Sequence, residues 1–419
     1  MLIVVGVVLA ALAILASISL HEAGHLVAAK ALGMRATQYF VGFGPTLWSF
    51  RRGDTEYGLR AIPLGGFVKI TGMAAQDADA EDPRAMWRFP VWKRTVVMSA
   101  GSITHFLLAV VATWFAAIFI GLPNPAIPTD TAGELKAPAM IEVGTCVKVV
   151  LPAQTQQPQC TPGVGTDQAA PAAAAGLETG DIITKVGTTP VANYGQLTDA
   201  IRATKPAPTV FEYTRAGQPG QTTVNLIAAQ RTPLDDPEGP VREVAVAGVN
   251  WHTDLPGSIT YGPIGAFGAT GGFSWTLVKG TFSALGRIPD KVPALWHSIT
   301  GSERDPDTPI SVVGASRLGG EAIENGVPQL FLMIFISLNI FIGIFNLLPL
   351  LPVDGGHIAI AWYERVRSWL YARLRKPDPG RVDYYKLMPI TYAVILIGGA
   401  FTLLTITADV VNPITIFGR

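Results

Sequence analysis

Charge is scarce in this chain. Only 15% of its 419 residues are Asp, Glu, Lys or Arg, against about 25% in an average soluble domain. The two signs balance at 31 residues each. No basic excess exists to meet phosphate, so nucleic acid is not expected as a partner. Cysteine is nearly absent. Two residues are too few for a disulfide scaffold of this length. Disorder is excluded as well, because 49% of the residues are apolar and disorder needs low hydrophobicity with high net charge. What remains is a membrane protein with room for a soluble domain.

Long uncharged runs are what the chain does have. Met1–Leu20 carries no charge, and Thr95–Leu122 is interrupted only by His105. Two further runs cover Val327–Val353 and Leu387–Ala408. Each is long enough for a membrane helix, which needs about 20 apolar residues. The expected organisation is a first span over 1–30, a loop over 31–94, a second span over 95–122 and a soluble domain over 128–231. A linker with an interfacial helix follows over 232–326, then a third span over 327–354, a loop over 355–386 and a fourth span over 387–408. The first run lacks the positive n-region of a secretory signal and continues without a clear cleavage site, so it is read as a span.

Orientation follows from the loops. Residues 21–94 hold ten Lys/Arg and 355–386 hold seven, whereas 123–326 hold thirteen spread over 204 positions. The positive-inside rule places the two dense loops in the cytoplasm and 123–326 outside. Cys146 and Cys160 then lie in an oxidising compartment. A bridge between them is expected there, with two free thiols as the alternative.

His21-Glu22-Ala23-Gly24-His25 is an H-E-x-x-H motif at the end of the first span. On a helix, positions i and i+4 share a face, so both imidazoles reach one ion and Glu22 stands beside them as a general base. This is a zinc protease arrangement, and ionisable groups inside a span call for such a use. Catalytic zinc needs a third protein ligand. The end of the third span offers one. There Asn346-Leu-Leu-Pro349-Leu-Leu-Pro352-Val-Asp354-Gly355-Gly356-His357 places a carboxylate after two helix-breaking prolines. Freed carbonyls at that depth are tolerable only beside protein or a water-filled cavity. The two glycines are expected to let the backbone turn. The first and third spans run in the same direction, so both motifs fall toward the cytoplasmic side.

Together the two motifs resemble the site-two protease family of intramembrane zinc metalloproteases. The resemblance covers nearly the whole chain and is nearest to the bacterial four-span branch that cleaves anti-sigma factors. It implies one Zn2+ per chain on His21, His25 and Asp354, with Glu22 as general base and Asn346 at the substrate or oxyanion. It also implies a location in the bacterial inner membrane. The implied partners are membrane lipid, a single-span substrate such as an anti-sigma factor, and an upstream site-one protease that cuts the substrate first. Two departures stand out. Gly101-Ser-Ile-Thr-His105 occupies a stretch where many members carry an asparagine, and Pro352 lies six residues after Asn346. His105 is then a polar substrate contact, a fourth ligand in a resting state, or a hydrogen-bonded core histidine.

Thr55–Ile62 and Pro63–Ile70 read as two short strands joined by a Pro/Gly turn, and they resemble the membrane-associated β-hairpin of the family. Ala175–Val186 resembles the most recognisable stretch of bacterial PDZ domains, which bind an extended peptide by strand addition. A size filter is the other use of such a domain. The stretch 152–170, rich in Pro, Gln and Thr, reads as an insertion loop, and 264–300 as an interfacial helix. The fold class is therefore a polytopic α-helical membrane protein of four spans, with a β-hairpin and an extracytoplasmic PDZ-like α+β domain. Two rival readings are a catalytically inactive receptor or scaffold that uses the PDZ-like domain, and a transporter with broken helices. The intact His21, Glu22, His25 and Asp354 argue against the first, and the second neither explains H-E-x-x-H nor finds a paired inverted repeat here.

Overall fold

A computed structural model describes residues 2–150, 160–163, 166–233, 240–301 and 304–416. Most of the expected insertion loop at 152–170 lies outside these residues. The chain divides into two units, one of 1–122 with 260–419 and one of 123–259. Among the described residues, four helices of the first unit are long and apolar enough to cross a membrane. The protein is a polytopic membrane protein.

Helix α1 spans Leu2–Ala31. It buries Gly6, Ala10, Ile14, Ser17, His21 and His25, a stripe at intervals of three and four residues that defines one helical face. The stripe is mostly small, and small residues allow close helix approach where lipid supplies no hydrophobic drive. After α1 come strand β1 (Ala36–Arg52) and strand β2 (Thr55–Ile70), turning at Gly53 and Asp54. The expected turn at Pro63–Gly66 does not pair its two flanking segments with each other. Gln38–Val41 pair with Glu56–Leu59 and also with Gly66–Lys69, while Trp48–Arg52 pair with Thr55–Leu59. A strand has two edges, so the two expected strands lie on opposite sides of 38–41. Gly58 sits where a Cβ would meet the Trp48 carbonyl at 2.4 Å and the Phe40 ring at 2.6 Å, which explains the glycine.

Helix α2 (Val91–Phe119) begins four residues before the expected second span. Arg94 is therefore inside the helix, buried, and paired with Glu364 at 3.2 Å. The region from 260 onward supplies α3 (Gly265–Ile299), α4 (Val312–Glu324), α5 (Pro328–Asn346), α6 (Asp354–Arg373) and α7 (Met388–Val411). The expected helix near 264–300 is α3, continuous through Pro289 and Pro293. α4 lies within the expected linker region of 232–326. It lies against α1, where a Cβ on Gly6 would stand 2.7 Å from the Gly320 Cα. Ala109 and Ala116 of α2, Ala266 of α3 and Ile336 and Ile340 of α5 form the core between helices. Asp409 near the end of α7 is buried against Arg304 at 2.6 Å and accepts the Ser311 N–H.

The third expected span ends as the prolines dictate. α5 stops at Asn346, residues 347–353 are not helical, and α6 begins at Asp354. The two glycines do not form the turn. They lie in the first helical turn of α6, where a Cβ would stand 2.2 Å from the Leu348 carbonyl at Gly355 and 2.6 Å from the Leu350 carbonyl at Gly356. Their lack of side chains lets the 347–351 segment fold back on the helix. The expected loop at 355–386 is also largely helical.

The second unit is larger than the expected 128–231. Residues 249–251 form a strand paired with 141–143, and Arg242–Val246 pair with Ile227–Arg231. Residues 232–259 of the expected 232–326 linker region therefore belong to this unit, with 234–239 outside the described residues. A four-stranded antiparallel sheet runs in the order 218–225, 208–215, 182–186, 189–190. The helix Tyr194–Ala203 accompanies it, with Leu197 and Ile201 in the same core as Ile183, Phe211 and Val224. Cys146 and Cys160 are joined, with Cα atoms 5.9 Å apart.

Asp181 is fully buried at the start of that sheet. Arg215 grips both its oxygens at 2.7 and 2.8 Å, and the Glu178 N–H donates to it at 2.9 Å. Burial alone would raise the carboxyl pKa, but the Arg215 guanidinium overrides it and holds the group below its ordinary 3.8. A depressed folded pKa contributes stability above the ordinary value, and the contribution is lost as pH falls through the folded one. Arg215→Ala should destabilise this unit, because it leaves the buried Asp181 carboxylate without its cation. Amide exchange at 182–186 and 208–214 should accelerate in the variant at pH 7, with the difference shrinking below pH 4. Equal exchange at pH 7 would show that the pair is not stabilising.

Candidate active site

Three side chains converge between α1, α2 and the start of α6. His21 and His25 are one turn apart on the buried stripe of α1. Their Nε2 atoms are 3.1 Å from each other, and Asp354 Oδ2 is 3.4 and 3.2 Å from them. Asp354 reaches them because the break after Asn346 delivers it as the first residue of a new helix. These three form one group of donor atoms that could hold a metal ion. The donor set can be tested against zinc. Ligands 2.0–2.1 Å from a tetrahedral ion stand about 3.3–3.4 Å apart, and the three separations here fall within 0.3 Å of that. Two imidazole nitrogens and a carboxylate oxygen suit zinc chemically.

The surroundings keep the site open and oriented. The Val97 carbonyl can only accept, so His25 Nδ1 donates to it at 2.7 Å and Nε2 keeps its lone pair toward the cluster. Gly101 of α2 faces the two imidazoles directly. A Cβ there would lie 2.4 Å from His21 Cε1 and 2.5 Å from His25 Nε2. Gly24 lets the two helices approach, since a Cβ there would meet the Ala100 carbonyl at 2.7 Å.

Glu22 lies beside the cluster. Its Oε2 accepts the backbone N–H of Val68 at 3.0 Å, which brings the 66–70 edge of the sheet to the site. Asn346 closes α5, half-buried, and lies outside the donor group. His105 is also outside it. The ring stands 5.0 Å from the His21 ring and is buried. Asn339 Nδ2 donates to the Phe335 carbonyl, so Asn339 Oδ1 faces His105 and accepts from its Nδ1 at 2.8 Å. Ser17 joins the same pair, 3.1 Å from Nδ1. His105 thereby ties α1, α2 and α5 together.

A family model, Peptidase family M50, matches residues 9–376. The chain belongs to peptidase family M50. This M50 peptidase is 42% identical over 419 residues to Zinc metalloprotease Rip1 of Mycolicibacterium smegmatis, covering 99% of both chains. It is 41% identical over 421 residues to Zinc metalloprotease Rip1 of Mycobacterium tuberculosis, covering 100% of both. Regulator of sigma-E protease RseP of Salmonella typhimurium is 27% identical over 422 residues, covering 84% of this chain and 88% of that one. The M50 peptidase is an intramembrane zinc metalloprotease of the site-two type, as its paired motifs implied.

Four features escaped the sequence reading. Asn339 and Ser17 sit in apolar spans where a polar residue is itself a signal, because it must find a partner there. The Val97 carbonyl and the Val68 N–H are backbone groups and carry no residue-type signal at all.

Proposed function

We propose that His21, His25 and Asp354 hold the zinc and that Glu22 is the general base. The convergence of these three donors opposite Gly101 carries the reading. When bound, zinc supplies Lewis acidity to the attacking water and to the scissile carbonyl. Glu22 takes the proton of that water. Val68 occupies Oε2 and leaves Oε1 to receive the proton and return it to the leaving amine. Asn346 donates from its side-chain amide to the substrate carbonyl. His105 acts through the Ser17–Asn339 cluster as a polar positioning group beside His21.

A membrane helix hides its carbonyls in i to i+4 bonds, so the substrate must unwind before it is cut. The nearness of the 66–70 edge to Glu22, which the Val68 contact fixes, supports placing the unwound segment along that edge by strand pairing. The substrate is a single-span protein such as an anti-sigma factor, trimmed first by another protease. The relative named for sigma-E regulation supports that class. Loop charge supports a cytoplasmic position for the site and an outer position for residues 123–259, in the bacterial inner membrane.

The outer unit, PDZ-like in its 175–186 segment, filters substrates by size. In reconstituted bilayers the full chain should cut a trimmed single-span substrate and refuse one with a folded outer domain. Replacing 123–259 by a flexible linker should admit the untrimmed substrate while the trimmed one is still cut. Loss of trimmed-substrate cleavage in a shortened chain that retains zinc would make the unit a docking module. Failure of the full chain to cut any membrane substrate would remove the proteolytic reading.

A further inference from the structure

A cleft of about 490 Å³ lies between the start of α2 and the middle of α6, apart from the zinc ligands. Pro90, Trp92, Trp362, Arg365, Ser368 and Arg381 are among its walls. Trp92 and Trp362 are 55% and 47% exposed, and α2 is a candidate membrane span. Exposed tryptophans at the end of a span mark the headgroup level of a bilayer.

The charges on its wall are unevenly paired. Glu364 is shared by Arg94 at 3.2 Å and Arg381 at 3.0 Å, and also accepts the Val382 N–H. Asp378 accepts from Ser368 and from the Gly380 N–H. Arg367 donates to the Gly380 carbonyl. Both wall carboxylates are thus engaged, and of the two arginines on the wall only Arg381 is drawn into those contacts. Arg365 is exposed on the cleft wall, with no ion pair or hydrogen bond to the described residues. Guanidinium groups match phosphate oxygens in a planar fork, and basic pockets at the ends of membrane helices suit acidic headgroups.

We propose that this cleft binds the phosphate headgroup of an acidic glycerophospholipid, with Arg365 as the free cation and Trp92 and Trp362 against the glycerol and upper acyl chain. The inference rests on the membrane reading and not on the assignment of the protease residues. A bound headgroup would bridge α2 and α6, the two helices that carry Gly101 and Asp354.

The test is native mass spectrometry of the delipidated full chain, titrated separately with phosphatidylglycerol, phosphatidylcholine and glycerol 3-phosphate. Phosphatidylglycerol should bind first. Arg365→Ala should weaken it about fivefold, with more loss in Arg365→Glu and recovery in Arg365→Lys. Trp92→Ala provides a second variant on the opposite wall and should weaken it too, with helix content by circular dichroism unchanged in each. Equal binding of the two lipids, or unchanged phosphatidylglycerol binding in both Arg365→Glu and Trp92→Ala, would overturn the site. Glycerol 3-phosphate binding as tightly as the lipid would assign the cleft to a soluble phosphate instead. Displacement of the lipid by an acidic peptide at equal concentration would assign it to a protein segment.

Discussion

Glu22→Gln should eliminate proteolysis while the chain still carries one zinc. The amide is the same size as the carboxylate, and its oxygen can still accept the Val68 N–H that holds Oε2 at 3.0 Å. Neither zinc ligand nor helix packing is touched. Only the capacity to take a proton is removed, and loss of a positioned general base costs about 10²–10⁴-fold. Zinc should be counted by elemental analysis on the same sample used for the cleavage assay. Wild-type turnover by a zinc-loaded Glu22→Gln protein would move the base elsewhere. The same pair of measurements separates the enzyme from a catalytically inactive scaffold, for which the substitution would change nothing.

Filling the space at Gly101 should expel the metal. The first atom of any side chain there falls 2.4–2.6 Å from the His21 and His25 rings, well inside van der Waals contact. Those rings cannot yield easily, because His25 is anchored to the Val97 carbonyl and His21 abuts the buried His105 cluster. Gly101→Val should therefore lower zinc affinity by about 100-fold or more, at the upper end of what disturbed ligand surroundings cost. Asp354→Ala should do the same if the proposed ligand set holds, because it removes the carboxylate of that set. Gly268→Ala is the control, since a Cβ there meets nothing within 4 Å, and it should keep full zinc. A Gly101→Val protein with wild-type zinc affinity would mean that the ligand cluster does not face α2 as described.

The sequence by itself determined the features that depend on near neighbours. Uncharged runs specify spans because a helix in lipid satisfies its own backbone. His21 and His25 share a face because they are one turn apart. The prolines at 349 and 352 end α5 because they lack an N–H, and Asp354 follows at the break. The tertiary structure decided what depends on partners distant in the chain. Nothing local tells 55–62 and 66–70 to flank 38–41 rather than pair with each other, since alternation within a strand does not name its neighbour. Gly355 and Gly356 look like a turn but lie in a helix, because the segment before them folds back to within contact distance. Residues 232–259 read as a linker, yet their short strands pair with partners as far back as 141–143. Gly101 is the sharpest case. One more glycine in an apolar span carries no signal, and it becomes the open wall beside the two imidazoles only when α2 packs against His21 and His25.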